Sequence, residues 1–163
     1  MRKSGDATPA RPKAGCARGR CSCGKVEIEI DLPAFWAWHD HSRASQRAQG
    51  CAYATYIGVW KSKTRVVSGA KSIARYEDKK TRVARSFCSH CGTPLFYERR
   101  AKMLNIPRAL FDGRTGREPR YHRHLEESPD WAYRQEPLGP LKGYPGVLVE
   151  KARRKKRPPP EFI

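Results

Sequence analysis

The sequence predicts an all-β domain, and three observations carry that prediction. Apolar and charged residues alternate strictly in KVEIEID at 25–31, which places Val26, Ile28 and Ile30 on one face of a half-buried strand. Aromatic and β-branched residues crowd into short runs such as YATYIGVW at 53–60. Gly, Pro and Asp punctuate the chain between these runs, and only the stretch at 41–50 is composed like a helix.

Taken in order, FWAW at 35–38 reads as a short aromatic strand or its end. HSRASQRAQG at 41–50 reads as a short helical segment, with Ser42 as its cap and Gly50 as its terminator. Another strand begins at 65–67, and Ser68-Gly69 supplies a turn. Residues 81–87 alternate weakly toward Cys88, and TPLFYE at 93–98 and MLNI at 103–106 read as further strands. Residues 131–133 read as a last short strand. The expected organisation is a disordered basic arm at 1–19, a folded domain at 20–137 and a Pro-rich, basic tail at 138–163. No internal repeat is evident.

The chemistry sits in the cysteines. Cys21-Ser22-Cys23-Gly24 and Cys88-Ser89-His90-Cys91-Gly92 are two thiol pairs, each followed by glycine. Two thiols at such short spacing grip one metal from a tight turn, and the glycine lets the backbone fold back toward the sulfurs. Cys21, Cys23, Cys88 and Cys91 therefore predict one closed, tetrahedral, structural zinc site. The alternatives are unligated thiols or a redox C-x-x-C. A redox pair wants a following helix, whereas Pro94 and the strand-like LFYE follow Cys91. His90 reads as a surface residue of the turn. Cys16 falls in the arm, and Cys51 reads as a small hydrophobe at the head of a strand.

The net charge of +18, from 34 basic and 16 acidic residues, is concentrated at the ends: residues 1–20 and 142–163 carry +5 each. The ARRKKR run at 152–157 fits weak, salt-sensitive, non-specific nucleic-acid binding, or simply a solvated basic tail. A nucleic-acid zinc ribbon is a poor fit, because 64 residues separate Cys23 from Cys88, against about 15–20 in such ribbons. No apolar run is long enough to span a membrane, and the N-terminal stretch lacks a secretory apolar core. The expected compartment is the cytoplasm, where cysteines serve as ligands or thiols rather than disulfides.

GRCSCGKV at 19–26 and SFCSHCGTPL at 86–95 resemble the glutathione-dependent formaldehyde-activating enzyme (GFA) family, which also includes centromere protein V. LFD at 110–112, the proline-then-histidine stretch at 119–124 and Trp131 are similar to the same pattern, so the resemblance covers about residues 19–137. It implies a β-tent, two stacked antiparallel sheets pinned by a structural zinc on Cys21, Cys23, Cys88 and Cys91. It also implies a carbon–sulfur lyase acting on S-hydroxymethylglutathione-type adducts of glutathione and aldehyde. That activity is assigned to a second zinc on three cysteines, in a C-H-C-x-x-C segment followed by glycine.

Here the sequence departs from the pattern. Counted back from Gly50, the three cysteine positions hold Asp40, Ser42 and Ser45, while His41 and the QRAQG ending persist. Hydroxyls are poor zinc ligands because serine ionises far above neutral pH. The expectation is one zinc ion, with the lyase activity altered or lost. Three other readings of this region are open. His39 and His41, pointing the same way from an extended segment, can be joined by His122 or His124 in a rebuilt metal site. Asp40, His41 and Ser42 or Ser45 contain the groups of a nucleophile–base set. Arg43, Arg47 and Arg108 can hold the carboxylates of glutathione or another anionic thiol without chemistry. The competing function is a non-enzymatic nucleic-acid-binding or scaffold protein stabilised by structural zinc.

Overall fold

The computed structural model of the protein describes residues 15–100, 102–132, 138–140, 142 and 148–150. The residues up to Ser128 form one compact unit and those from Pro129 another. In the first unit the strands are β1 (Cys16–Arg20), β2 (Glu27–Asp31), β3 (Trp36–Asp40), β4 (Ala54–Trp60), β5 (Thr64–Ser68), β6 (Ile73–Asp78), β7 (Val83–Cys88), β8 (Pro94–Arg100), β9 (Met103–Pro107) and β10 (Tyr121–Arg123). One helix, α1 (Arg43–Gln49), joins β3 to β4. In the second unit, β11 (Leu138–Pro140) and β12 (Leu148–Glu150) pair as an antiparallel ribbon.

Two sheets make up the first unit: a three-stranded one in the order β1-β2-β5 and a seven-stranded one in the order β10-β3-β4-β9-β8-β7-β6. All pairings are antiparallel except β10 on β3, which is parallel. The all-β expectation holds. Val26, Ile28 and Ile30, fully buried, join Ile57, Val59, Leu95, Leu104 and Ile106 of the larger sheet in one core cluster. Each such side chain contributes about 1.5–3 kcal/mol through burial. No helix among the described residues is long and apolar enough to cross a membrane.

The structure corrects the sequence reading in several places. Residues 16–20 are a strand rather than the end of an arm. Ala17 and Gly19 are buried, and Gly19 lies so close to Phe111 that an added Cβ would meet its ring at 3.0 Å. With two small residues inward, the strand has no apolar alternation to read. The polar β6 is an edge strand defined by its pairing with β7, and β10 is a three-residue strand defined by its pairing with β3. Cys51 lies just before β4, which starts at Ala54. Trp131 and Ala132 lie in a turn rather than a strand, and Tyr133 is outside the described residues. Within the stretch read as a tail, β11 and β12 are paired; residues 1–14 and 151–163, including the ARRKKR run, are outside the described residues.

On the smaller sheet, Arg18, Glu29 and Arg65 lie directly opposite one another on β1, β2 and β5. Arg18 Nη2 and Arg65 Nη2 each donate to the buried Glu29 carboxylate at 3.0 Å, and Arg65 also reaches Asp31 at 2.7 Å. Arg65 and then Arg18 hold the Glu29 carboxyl below the usual carboxylate range. A depressed folded-state pKa stabilises the fold above the unfolded value of about 4.3, and that contribution disappears as pH falls through the folded value. Glu29→Gln is therefore expected to lower unfolding stability by roughly 1–3 kcal/mol at pH 7. In denaturant titrations the gap to wild type should shrink below about pH 4.

Candidate metal centre and the neighbouring cleft

The turn after β1 presents Cys21 and Cys23, and the turn between β7 and β8 presents Cys88 and Cys91. All four sulfurs lie within 4.8 Å of one another. Cys21 and Cys23 are 3.5 Å apart and Cys23 and Cys88 3.9 Å, close to the ~3.8 Å edge of a tetrahedron with ~2.3 Å zinc–sulfur bonds. Gly24 and Gly92 both sit at φ near +70° and donate back to the Cys21 and Cys88 carbonyls, which closes each turn. The Val26 amide donates to Cys21 Sγ at 3.3 Å. A clasp absent from the sequence reading joins the two turns: Thr93 Oγ1 accepts from the Ser22 amide and lies 3.0 Å from Ser22 Oγ. His90 is exposed, as expected of a turn residue.

Two of the four thiols perturb each other. The Thr93 hydroxyl, 3.1 Å away, and the Thr93 backbone amide pull the Cys91 thiol down to about 5. At Cys23 the Lys25 backbone amide favours the thiolate, but burial and the thiols of Cys91, Cys21 and Cys88 outweigh it and push Cys23 up to about 11. The ionisation of Cys91 is thus set against that of Cys23.

The positions Asp40, Ser42 and Ser45 also converge. Asp40 ends β3, and Ser42 caps α1 by accepting from the Ser45 amide at 3.3 Å, with Gly50 closing the helix in the left-handed region. The Ser45 hydroxyl donates to Asp40 Oδ2 at 3.1 Å, and the Ser42 amide donates to Asp40 Oδ1 at 3.0 Å. Asp40 and Ser45 are buried, at 7% and 3% exposure. Both carboxylate oxygens and both hydroxyls are therefore committed to one another and to the helix start. This donor set does not fit zinc: it offers no thiolate, and its only anion is already held by two hydrogen bonds.

His39 and His41 do point the same way. His41 Nε2 and His122 Nδ1 are 2.9 Å apart, the His39 and His122 rings stack at 4.8 Å, and Tyr53 packs on both His39 and His41. His39 Nδ1 is 2.9 Å from Thr55 Oγ1, and burial, then His122, holds the His39 imidazole below its usual range. His124 lies apart with Glu126 and Glu127. Asp40, the neighbour of His41 on an alternating strand, falls on the Trp38 and Tyr56 side instead, which separates the carboxylate from the imidazoles.

Cys16 is half-buried beside Asp31 and Arg65 rather than in an arm. Cys51 packs on the Trp38–Tyr56 cluster, and burial raises its thiol pKa, as a small hydrophobe would behave. Of the arginines the sequence offered as anion ligands, Arg43 and Arg47 are exposed on α1, and Arg108 donates to the Phe111 carbonyl at 2.7 Å. Arg85, which the sequence did not single out, faces a cleft. It lies opposite Tyr76 and Tyr97 in register, 5.2 Å from the Tyr97 ring. That cleft, of about 200 Å³, includes Gln49, Tyr56 and Tyr97 in its lining. The Tyr56 phenol connects it to the converged polar group, because the Ser45 hydroxyl and the Gln49 amide both act on Tyr56.

A family model described as glutathione-dependent formaldehyde-activating enzyme matches residues 16–127. A solved structure of a Rhodobacter sphaeroides protein is similar at 29% identity and a TM-score of 0.51, covering 59% of this chain and 88% of that one. No curated protein matches. The cysteine turns, the two-sheet fold and the match over most of the chain agree: the chain belongs to the glutathione-dependent formaldehyde-activating enzyme (GFA) family.

Proposed function

We propose that this chain is a GFA-family protein, stabilised by one structural zinc on Cys21, Cys23, Cys88 and Cys91, in which carbon–sulfur lyase chemistry on glutathione–aldehyde adducts has been lost. The observation that carries the reading is the closure of Asp40, Ser42 and Ser45 into a hydrogen-bonded group. A zinc ion at that place would have to compete with two hydrogen bonds for the Asp40 carboxylate and would find only neutral hydroxyls beside it. The structural zinc is supported by the opposite situation, four thiols that converge within 4.8 Å of one another and are free to act as ligands. Such a protein retains a scaffold that can bind a small thiol adduct or another anion without turning it over. Cytoplasmic residence belongs to this reading, since free thiols and a thiolate-bound metal suit a reducing compartment.

Exchange between glutathione plus formaldehyde and S-hydroxymethylglutathione tests it, followed by NMR with the zinc-loaded protein. The expected exchange rate equals the uncatalysed one. A rate raised tenfold or more at micromolar protein would overturn the loss of activity.

A further inference from the structure

We infer that the cleft beside Tyr56 is a binding site for a small, flat, apolar monoanion, of the class of aromatic carboxylates, held by Arg85. This goes beyond the loss of lyase chemistry and stands on different residues. The outer face of the seven-stranded sheet carries a ladder of rings: Trp36 on Trp38 at 4.7 Å, Trp38 on Tyr56 at 5.7 Å and Tyr56 on Tyr97 at 5.0 Å. The ladder ends at Arg85, over Tyr97 at 5.2 Å. Tyr76, Phe87, Phe96 and Tyr97 wall the cleft with ring surface, and Tyr76 and Phe87 are exposed at its mouth.

Among the described residues, Arg85 is the only charged one lining this cleft. It forms no ion pair among the described residues, whereas its neighbour Arg75 is matched by Glu77 and Glu98. A half-buried guanidinium braced on an aromatic ring presents a planar fork of donors, which suits a carboxylate or a similar planar acid. Burial raises the pKa of Tyr56 and Tyr97, so both remain neutral phenols at physiological pH and add no competing negative charge. The described lining offers no carboxylate for an ammonium group. Its ~200 Å³ is below the roughly 300–1,000 Å³ of sites for drug-sized ligands, so one or two fused rings fit where a tripeptide with an amino group and two carboxylates does not. The rings supply area and stacking, the arginine supplies the sign of charge, and together they define the class.

The test is calorimetric titration of the zinc-loaded full chain with 2-naphthoate, its neutral analogue 2-naphthalenemethanol, glutathione, and a single-stranded oligonucleotide. The expected result is saturable 1:1 binding of 2-naphthoate in the submillimolar range, at least about tenfold tighter than the neutral analogue. Arg85→Met is expected to abolish that preference, Arg85→Lys to retain part of it, and Tyr76→Ala to weaken naphthoate roughly three- to tenfold. If Arg85→Met fails to fold, the comparison of charged and neutral ligand on the native protein still decides. No saturation by about 5 mM, equal affinity for both naphthalenes, or undiminished preference in a folded Arg85→Met would overturn the assignment. So would glutathione or the oligonucleotide displacing naphthoate at lower concentration, which would give the cleft to a different class.

Discussion

Cys88→Ser is expected to cost the protein more than about 4 kcal/mol, enough to unfold much of it at 37 °C. Cys88 is fully buried where β7 ends, and its sulfur lies 3.9 Å from Cys23, on the turn that follows β1 of the smaller sheet. The substitution removes one thiolate from a four-thiolate shell and leaves a buried hydroxyl in its place. Because residues 23 and 88 are 65 apart in sequence, the cluster closes a long loop, and that constraint is lost along with the ligand. Removing the metal with a strong chelator is expected to reproduce the effect, lowering the melting temperature by roughly 10–20 °C. Thermal melts with and without chelator, and with zinc added back, check both statements. The half-buried Cys16, which lies outside the four-thiol cluster, is expected to shift the melt by no more than a few degrees when substituted in the same way.

The second large effect is a gain. Asp40→Cys, Ser42→Cys and Ser45→Cys made together place three thiols around the start of α1, where the Asp40 and Ser45 side chains touch and Ser42 is tied to both residues through backbone amides. Three thiolates with an open fourth position form a catalytic type of zinc shell. The triple variant is expected to bind a second zinc and to accelerate exchange between glutathione plus formaldehyde and its adduct at least tenfold above background. Any one of the three substitutions alone is expected to do neither, because a single thiolate among hydroxyls and a hydrogen-bonded carboxylate does not hold the ion. Metal analysis and the NMR exchange rate read the two parts separately.

The parts of this molecule written in local sequence were legible in it. The two cysteine turns are fixed by thiol spacing and by glycines whose positive φ follows from the turn itself, and they emerged where the sequence placed them. The helix from Ser42 to Gly50 was legible for the same reason, since its cap and its terminator are both local. Counting back from Gly50 singled out Asp40, Ser42 and Ser45 through the family resemblance, and in the fold they lie together at the end of β3 and the start of α1.

What depends on long-range pairing was not legible. β1 hides behind small residues, β6 is polar along an edge, and β10 exists through three pairings with β3. Arg85 illustrates the difficulty best. In TRVARSF it reads as one basic residue among many, on a weakly alternating strand. Its place between Tyr76 and Tyr97 depends on the register of three strands, and that register shifts between Ser86 and Phe87. No local pattern encodes such a shift. The Ser22–Thr93 clasp is hidden for the same reason, as its partners lie 71 residues apart.

One measurement bears on the central claim most directly: the number of zinc ions per chain in protein purified without chelator, determined by elemental analysis against amino-acid quantitation. The four-thiol cluster with a closed polar group at Asp40, Ser42 and Ser45 predicts about one zinc per chain. Two per chain would contradict the loss of the second metal centre, and a value near zero would contradict the structural zinc itself.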